Sequence, residues 1–308
     1  MKSKKILFYR DYQGFTGGHL KVFNYFEHVK HSNNFNSKIY FSKNSNYILN
    51  NSTSINSEDL ELNWEPELAD VLFVAGLDWS VVPFDIDKPV INLIQHVRHA
   101  DPNDFRYNFL RRPAIRICVS QAVADAIIST GIVNGKTFVI KNGVDPLDFP
   151  EKNVYKDNQV LIAGYKKPEL AAQIAQELNK LGIKNHLLIK MHERFDYLSL
   201  VARSAITIFL PCESEGFYLP ALEGMGLGTL VICPDCIGNN EFCFHMQNCI
   251  VPIYSLEGII SSCCEAMEML STNYSEKIRT NGELQFKAHS LKEERARFIE
   301  ILNSIDIG

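Results

Sequence analysis

The chain lacks any apolar run approaching the roughly 20 residues that a membrane-spanning helix requires, so no transmembrane segment is expected. Its N-terminus, Met-Lys-Ser-Lys-Lys followed by Ile-Leu-Phe-Tyr, has too short an apolar stretch for a secretory signal. The expectation is a cytoplasmic protein, with peripheral contact at the inner face of the membrane left open. An excess of positive charge is also missing. Lys and Arg number 31 against 36 Asp and Glu, for a net charge of −5, which argues against a broad nucleic-acid surface. Neither a Walker loop nor a Gly-x-Gly-x-x-Gly fingerprint is present. The eight cysteines lack the paired short spacings of a zinc site. Cys233-Pro-Asp-Cys236 has redox-motif spacing, but Cys233 ends an apolar run, and Cys243 and Cys249 sit among apolar residues. Buried thiols in a reducing compartment are the expectation, with structural zinc the lesser reading.

What is present suits two α/β domains: 308 residues, 46% of them apolar and 22% charged. The chain is organised around Pro211–Glu241. An apolar run, Ile206–Leu210, has the length and β-branched content of a buried strand. A polar loop with Glu213, Glu215 and Gly216 follows. Pro220 then opens a helix over about Leu219–Leu227, which stops at Gly228 before a second strand, Thr229–Cys233. A helix start of this kind favours anions such as phosphate. Glu215 lies just outside it and Glu223 just inside, so both can accept hydrogen bonds from hydroxyls flanking the anion. An anion between two hydroxyl-bearing rings describes a nucleoside-diphosphate sugar. Either glutamate alone would read as a solvated or helix-favouring residue.

Glu215-Gly-Phe-Tyr-Leu-Pro-Ala-Leu-Glu223 resembles the Glu–seven residues–Glu motif of retaining glycosyltransferases with the GT-B fold, specifically the large family four. The likeness continues through Gly224-Met-Gly-Leu-Gly-Thr-Leu-Val231 to the acidic Glu241. Upstream, Ile117-Cys-Val-Ser120 and Val139-Ile-Lys-Asn-Gly-Val-Asp145 are similar to two further landmarks of that family. Together these cover roughly residues 90–290, in the family's order. The resemblance implies two Rossmann-like domains facing across a cleft: an acceptor-side domain at 1–150, a nucleotide-sugar domain at 151–290, and a helix at 291–308 returning to the first domain. It also implies retaining, metal-independent transfer from a nucleoside-diphosphate sugar to a saccharide, lipid-linked or other hydroxyl acceptor, with no cofactor beyond the donor and a role in surface polysaccharide or glycoconjugate synthesis. Asp85-Ile-Asp87, which has the form of a metal-binding Asp-x-Asp, precedes Lys88-Pro89 and reads as a surface turn.

In chain order, Lys5–Tyr9 reads as the first strand, followed by a loop with Gly14, Gly17 and Gly18 and a helix over about Leu20–Val29. Glycine permits close backbone approach to a phosphate or sugar. The resemblance raises Gly17 and Gly18 as donor contacts, and His19 and Lys21 as residues for phosphate or acceptor. Residues 31–64 are rich in Asn and Ser, with a short strand at Ser37–Phe41. Val71–Ala75 and Val90–Ile94 are buried strands. Past the second comes Gln95-His-Val-Arg-His99, at the strand end where open α/β sheets bind ligands. Family members carry a histidine there that contacts the transferred sugar, and His96 fits the place better than His99. Arg98 and His99 are assigned to the acceptor side. Arg106, Arg111, Arg112 and Arg116 crowd the next segment and read as a solvated face.

Ile115–Val119 is a strand, Ser120 caps a helix over Gln121–Ser129, and Thr137–Ile140 closes the first domain. Pro146–Lys156 reads as the linker. The second domain opens on the strand Gln159–Gly164. Family members then place an arginine and, a few residues later, a lysine on the donor's diphosphate. This chain has Tyr165-Lys166-Lys167-Pro168 instead, with no arginine. Lys166 or Lys167 would neutralise the leaving diphosphate, the choice between them staying open, and Lys190 is a third cation at the end of a strand His186–Met191. The interval from Lys190 to Glu215 has room for one helix (Tyr197–Ser204) and one strand, as though a strand–helix unit were lost. Glu223 would bind ribose, Glu215 the transferred sugar, and the backbone N–H groups of Gly216, Phe217, Tyr218 and Leu219 the diphosphate. No covalent nucleophile stands out, and the family's usual proposal is front-face departure and attack. Phe298, Ile301, Leu302 and Ile305 give the last helix, Leu291–Ile305, an apolar stripe. Other readings are a GT-B-type sugar-nucleotide epimerase, a non-catalytic sugar-nucleotide-binding partner, and a transferase acting on modified DNA bases.

Overall fold

The computed structural model describes residues 3–14, 16–46, 55–150, 156 and 158–305. It divides into two compact units. Unit 1 is Met1–Asn142 with Leu291–Gly308, and unit 2 is Gly143–Ser290. In order, unit 1 contains β1 (Lys4–Arg10), α1 (Gly17–Lys30), β2 (Phe35–Phe41), β3 (Val71–Ala75), β4 (Val90–Ile94), β5 (Ile115–Cys118), α2 (Gln121–Ser129) and β6 (Thr137–Val139). Unit 2 contains β7 (Asn158–Ala163), α3 (Pro168–Lys180), β8 (Asn185–Leu188), α4 (Arg194–Arg203), β9 (Ser204–Phe209), α5 (Leu219–Gly226), β10 (Leu230–Ile232), α6 (Leu256–Met269) and α7 (Asn273–Lys287). The last helix, α8 (Leu291–Asn303), belongs to unit 1.

Both sheets are parallel throughout their described pairings. Unit 1 has the order β2-β1-β3-β4-β5-β6 and unit 2 the order β10-β9-β7-β8. Parallel strands flanked on both faces are buried on both faces, which is why Val71–Ala75 is apolar throughout and Val90–Ile94 apolar but for Asn92, every residue of both buried. Strand order reverses between β1 and β3 in unit 1 and between β7 and β9 in unit 2. In open α/β sheets, ligands bind outside the carboxyl ends of the strands at such reversals. Those two places position the candidate sites.

The unit 1 core is aromatic. Phe8 stacks on Phe73 with ring centroids 4.4 Å apart, and Phe298 of α8 meets Tyr25 of α1 edge-on at 4.7 Å. Phe298, Ile301 and Leu302 are buried as their helical spacing predicts, each contributing about 2–3 kcal/mol at most. Unit 2 packs α3 and α6 on its sheet around Ile162, Ile174, Ile206 and Ile259. Unit 2 begins near residue 143 instead of 151. Val144 N–H donates to the His289 carbonyl and the Phe149 ring lies 5.2 Å from Phe286, which ties the expected end of the first domain to α7. Residues 151–155 and 157 of the expected linker lie outside the described residues, as do 47–54 of the Asn- and Ser-rich segment.

Four sequence expectations change. Helix α1 starts at Gly17, because the Thr16 hydroxyl accepts from His19 N–H as its N-cap, so Gly17 and Gly18 form its first turn and not a loop. The arginine segment is no solvated face. Arg116 is fully buried, donating to Asn92 Oδ1 and to the carbonyls of Phe109, Leu110 and Arg112, while Arg112 lies over the Trp79 ring at 4.4 Å. Cys118, Cys233, Cys236, Cys243, Cys249 and Cys263 are buried free thiols, but Cys212 is exposed. Helix α4 starts at Arg194, three residues before the expected start. No helix among the described residues is long and apolar enough to cross a membrane.

Candidate functional site

Two loops meet at the strand-order reversal of unit 2. The first leaves β7 through Gly164. A Cβ there would lie 2.2 Å from that of Ala171, so glycine lets α3 pack close to the strand end. Tyr165-Lys166-Lys167 follow, and the turn closes with Lys167 N–H on the Gly164 carbonyl. The second loop leaves β9 and runs from Leu210 to Tyr218. Its backbone is fixed by a third segment: Glu215 N–H donates to the Cys236 carbonyl at 2.9 Å and Tyr218 N–H to the Gly238 carbonyl at 3.3 Å. Gly238 sits so close that a Cβ would lie 2.8 Å from Phe217 N and 2.9 Å from the Glu215 carbonyl oxygen. Only glycine allows that approach.

These loops place the glutamates and cations in pairs. Glu215 is 9% exposed, and its Oε1 accepts from Lys166 Nζ at 2.5 Å and from Cys212 N–H at 3.0 Å. Glu223, on the buried face of α5, is 3% exposed and meets Arg194 Nη1 at 2.9 Å. Lys167 pairs instead with the largely exposed Glu213 at 3.1 Å. The adjacent lysines therefore differ: Lys166 points at the motif glutamate and also lies 5.3 Å from the Tyr218 ring, whereas Lys167 pairs with Glu213 and lies 5.9 Å from the Tyr254 ring. Lys190 is exposed, two residues beyond β8, which ends at Leu188 and not at Met191.

Three tyrosines connect the pairs. Burial raises the Tyr165 phenol, and Lys166, Glu215 and Glu223 all act on it. Burial likewise pushes the Tyr197 phenol well above its ordinary value, with Glu223, Tyr165 and Arg194 acting in turn. Tyr218 is raised in the same way, with Tyr197, Tyr165 and Glu215 among its neighbours. Both glutamates and both cations thus share one electrostatic locus.

The helix start itself departs from expectation. The backbone N–H groups of residues 216–219 do not all face an anion, because Tyr218 N–H is taken by Gly238 and Leu219 N–H by the Phe217 carbonyl at 3.3 Å. The Phe217 ring stacks on Phe242 at 4.9 Å as part of the core. The cations of this locus, Lys166 and Arg194, are each paired with a carboxylate. Arg194 was missed in the sequence because the arginine was sought after β7. Its available signal is its place, just past the carboxyl end of β8 and at the first position of α4.

Unit 1 has its own cluster at the β1/β3 reversal. Arg10, the last residue of β1, donates from Nη1 to Asp78 Oδ2 at 2.8 Å and from Nη2 to His19 Nδ1 at 2.9 Å. Arginine only donates, so His19 Nδ1 accepts and the ring proton sits on Nε2. Burial first, and the Arg10 guanidinium second, hold His19 down at about 4. His96 is half-buried just past β4, and its Nδ1 accepts from Arg98 N–H at 3.0 Å, fixing the same tautomer. Gln95 Nε2 donates to the Gly18 carbonyl, joining this loop to the start of α1, and Arg98 is exposed. Arg10 and Asp78 were not among the sequence candidates.

Two acceptor-side candidates are structural instead. Lys21 is 1% exposed, with its Nζ on Glu294 of α8, because it lies on the face of α1 that packs inward. His99 is 4% exposed and held neutral, its pKa brought down to about 3 by burial and then by Arg106. Both side chains are buried. Asp85 and Asp87 are exposed in a turn, and among the described residues no three His, Cys, Asp or Glu side chains are grouped to hold a metal ion.

No protein-family model and no curated protein matches this sequence. Solved structures do. The chain is similar to HepE of Anabaena in complex with UDP and glucose, at 16% identity and a TM-score of 0.74 over 98% of this chain and 100% of that one. It is similar to sucrose-phosphate synthase from Thermosynechococcus elongatus, at 10% identity and a TM-score of 0.71, covering 97% of this chain and 98% of that one. A glycosyltransferase from Rickettsia africae ESF-5 aligns at 14% identity and a TM-score of 0.69, with 98% of each chain covered. The α/β architecture is that of the GT-B glycosyltransferases.

Proposed function

We propose that this chain is a retaining glycosyltransferase that moves a sugar from a nucleoside-diphosphate sugar to a hydroxyl acceptor in the synthesis of a polysaccharide or glycoconjugate. The reading rests on one observation: two buried carboxylates, Glu215 and Glu223, each paired with a cation, lie on the loop and helix that follow β9, at the strand-order reversal of unit 2. Carboxylates so placed accept from hydroxyls, and Lys166, paired with Glu215, is available to a phosphate that displaces that carboxylate. Glu223 binds the ribose and Glu215 the transferred sugar. Lys166 neutralises charge on the departing diphosphate, a preorganised interaction of the kind that lowers barriers by about 3–4 kcal/mol. The fold likeness to HepE, whose structures contain UDP or UDP-glucose, supports this donor class. In unit 1, the Arg10–His19–Asp78 cluster is the acceptor-side candidate.

The test begins with a thermal-shift panel of nucleoside diphosphates and their sugars, since a ligand that binds only the native state raises its melting temperature. The stabilising donor is then assayed with hydroxyl acceptors, and the product's anomeric configuration is read by NMR. Glu215→Gln is expected to lower turnover by about 10²–10³-fold, the loss typical of one preorganised polar contact, with the fold intact by circular dichroism. Full activity in that variant would refute the assignment of Glu215. Product formed from donor alone would mark an epimerase.

A further inference from the structure

We infer that Arg194 is a phosphate-reading residue of the donor site, one guanidinium that holds Glu223 toward the ribose with one edge and takes a donor phosphate oxygen with the other. This rests on the donor reading above and goes beyond it, because it assigns a residue from a different strand end and a division of labour between its two edges.

Three observations converge on it. First, Arg194 Nη1 is engaged with Glu223 Oε1 at 2.9 Å, while its Nε is buried with no hydrogen-bond partner among the described residues. A buried donor without a partner is destabilising, and arginine cannot shed its proton to avoid that cost. Nε and the outer nitrogen beside it form the planar fork that suits a phosphate or carboxylate. Second, the residue is not sealed in. Its side chain is 22% exposed against 5% for Glu223, so solvent reaches part of the guanidinium although Nε itself is buried. Third, the other donor cation is held in the same way: Lys166 Nζ on Glu215 Oε1, with a 26% exposed side chain against 11%. Each motif glutamate is thus neutralised by a cation more exposed than itself, and both pairs act on Tyr165 or Tyr197.

Donor binding is then an exchange of partners at Glu215 alone. The diphosphate draws Lys166 away and frees Glu215 for the sugar hydroxyls, while Arg194 keeps Glu223 through Nη1 and offers its fork to phosphate. Because Arg194 keeps hold of the ribose carboxylate, the phosphate it reads is the one bonded to the ribose. The loop after β7 has lysine and no arginine, so Arg194 supplies the only bidentate fork among the described residues that meets either motif glutamate.

The experiment is a binding series by calorimetry with the full chain. The tightest of UDP, ADP and GDP is chosen and compared with its own monophosphate and nucleoside. In Arg194→Ala the preference for the monophosphate over the nucleoside is expected to fall about tenfold. Equal weakening of both ligands would mean that Arg194 only orients Glu223, and would overturn the inference, as would an unchanged preference. Because Arg194→Ala leaves Glu223 buried without its cation, the series is repeated in a Glu223→Gln background. Glu223→Gln alone should weaken the nucleoside yet keep the phosphate preference, and adding Arg194→Met should abolish it. A preference retained in the double variant refutes the phosphate contact. If the wild-type chain binds none of the three diphosphates, the donor reading fails first and this inference with it.

Discussion

Glu294→Ala tests the correction made to Lys21. Glu294 is 2% exposed, and its carboxylate accepts from Lys21 Nζ at 2.5 Å and from His28 Nε2 at 2.9 Å. Lys21 and His28 are themselves 1% and 3% exposed. Removing one partner of a buried ion pair costs about 3–5 kcal/mol, a large share of the roughly 5–15 kcal/mol that holds a domain together. For a domain of this size the melting temperature should fall by roughly 10 °C. The pH dependence gives a second signature. Burial holds the Lys21 pKa below its ordinary value even in the wild type, and loss of the carboxylate lowers it further. Between that folded value and about 10.4, the value in the unfolded chain, the unfolded state binds more protons, so stability rises with pH. The variant's deficit is therefore largest near neutral pH and shrinks toward about pH 10. The assay is calorimetric melting of wild type and variant at several pH values. Replacing the pair with apolar side chains, Lys21→Met with Glu294→Leu, should recover most of the loss and leave donor-induced stabilisation unchanged. A Glu294→Ala protein that melts within about 1 °C of wild type would refute the reasoning. So would a double variant that is stable yet blind to donor, which would return Lys21 to the functional list.

Two other outcomes are expected. His19, held at about 4 by burial and by Arg10, should show an unchanging ring C–H shift by NMR above about pH 5, and Arg10→Ala should move its midpoint up toward the ordinary 6.5. A lowered histidine pKa makes the folded state the weaker proton binder between the two values, so its contribution to stability is complete above about 6.5 and is lost as pH falls toward 4. A wild-type midpoint near 6.5 would contradict the Arg10–His19 geometry. Cys212 is exposed, and its backbone N–H donates to Glu215 Oε1, so iodoacetamide should label it ahead of the six buried thiols. A saturating nucleoside diphosphate should slow that labelling several-fold by mass spectrometry, and unchanged labelling at a concentration that stabilises the protein would separate Cys212 from the ligand site.

The parts of the fold legible in the sequence are those decided locally. Val71–Ala75 and Val90–Ile94 match the observed strands at both ends, because a parallel strand buried on both faces is predominantly apolar, and the one polar residue, Asn92, is hydrogen-bonded to Arg116. Gln121–Ser129 matches because Ser120 supplies its cap, the hydroxyl accepting from Val123 N–H at 3.3 Å. The start of α1 was missed where glycines outweighed a cap, since Gly17-Gly18 reads as loop until Thr16 is seen to accept from His19 N–H. Glu215 and Glu223 were legible as candidates because both fall within one short motif that crosses a strand end and a helix start.

The partners of those charges were not legible, for a physical reason that applies across the chain. A charged side chain is costly to bury alone, so its meaning depends on what it faces, and that partner comes from wherever the fold returns. Lys21 looks like a ligand contact beside its glycines until α8 brings Glu294 to it across 273 residues of sequence. Arg116 looks solvated until four acceptors enclose its guanidinium. Lys166 and Lys167 are adjacent in sequence, yet the turn after β7 aims one at Glu215 and the other at Glu213. Arg194 is the same case in the opposite direction: nothing near it in sequence marks it, and only the sheet order that sets β8 beside β7 brings the start of α4 to Glu223. A motif can therefore name the carboxylates of such a site, whereas the cations that charge it follow from strand order. The same division predicts where substitution is tolerated. A cation supplied by another strand end can serve the same anion, but the two glutamates, fixed by one loop and one helix turn, have no second source.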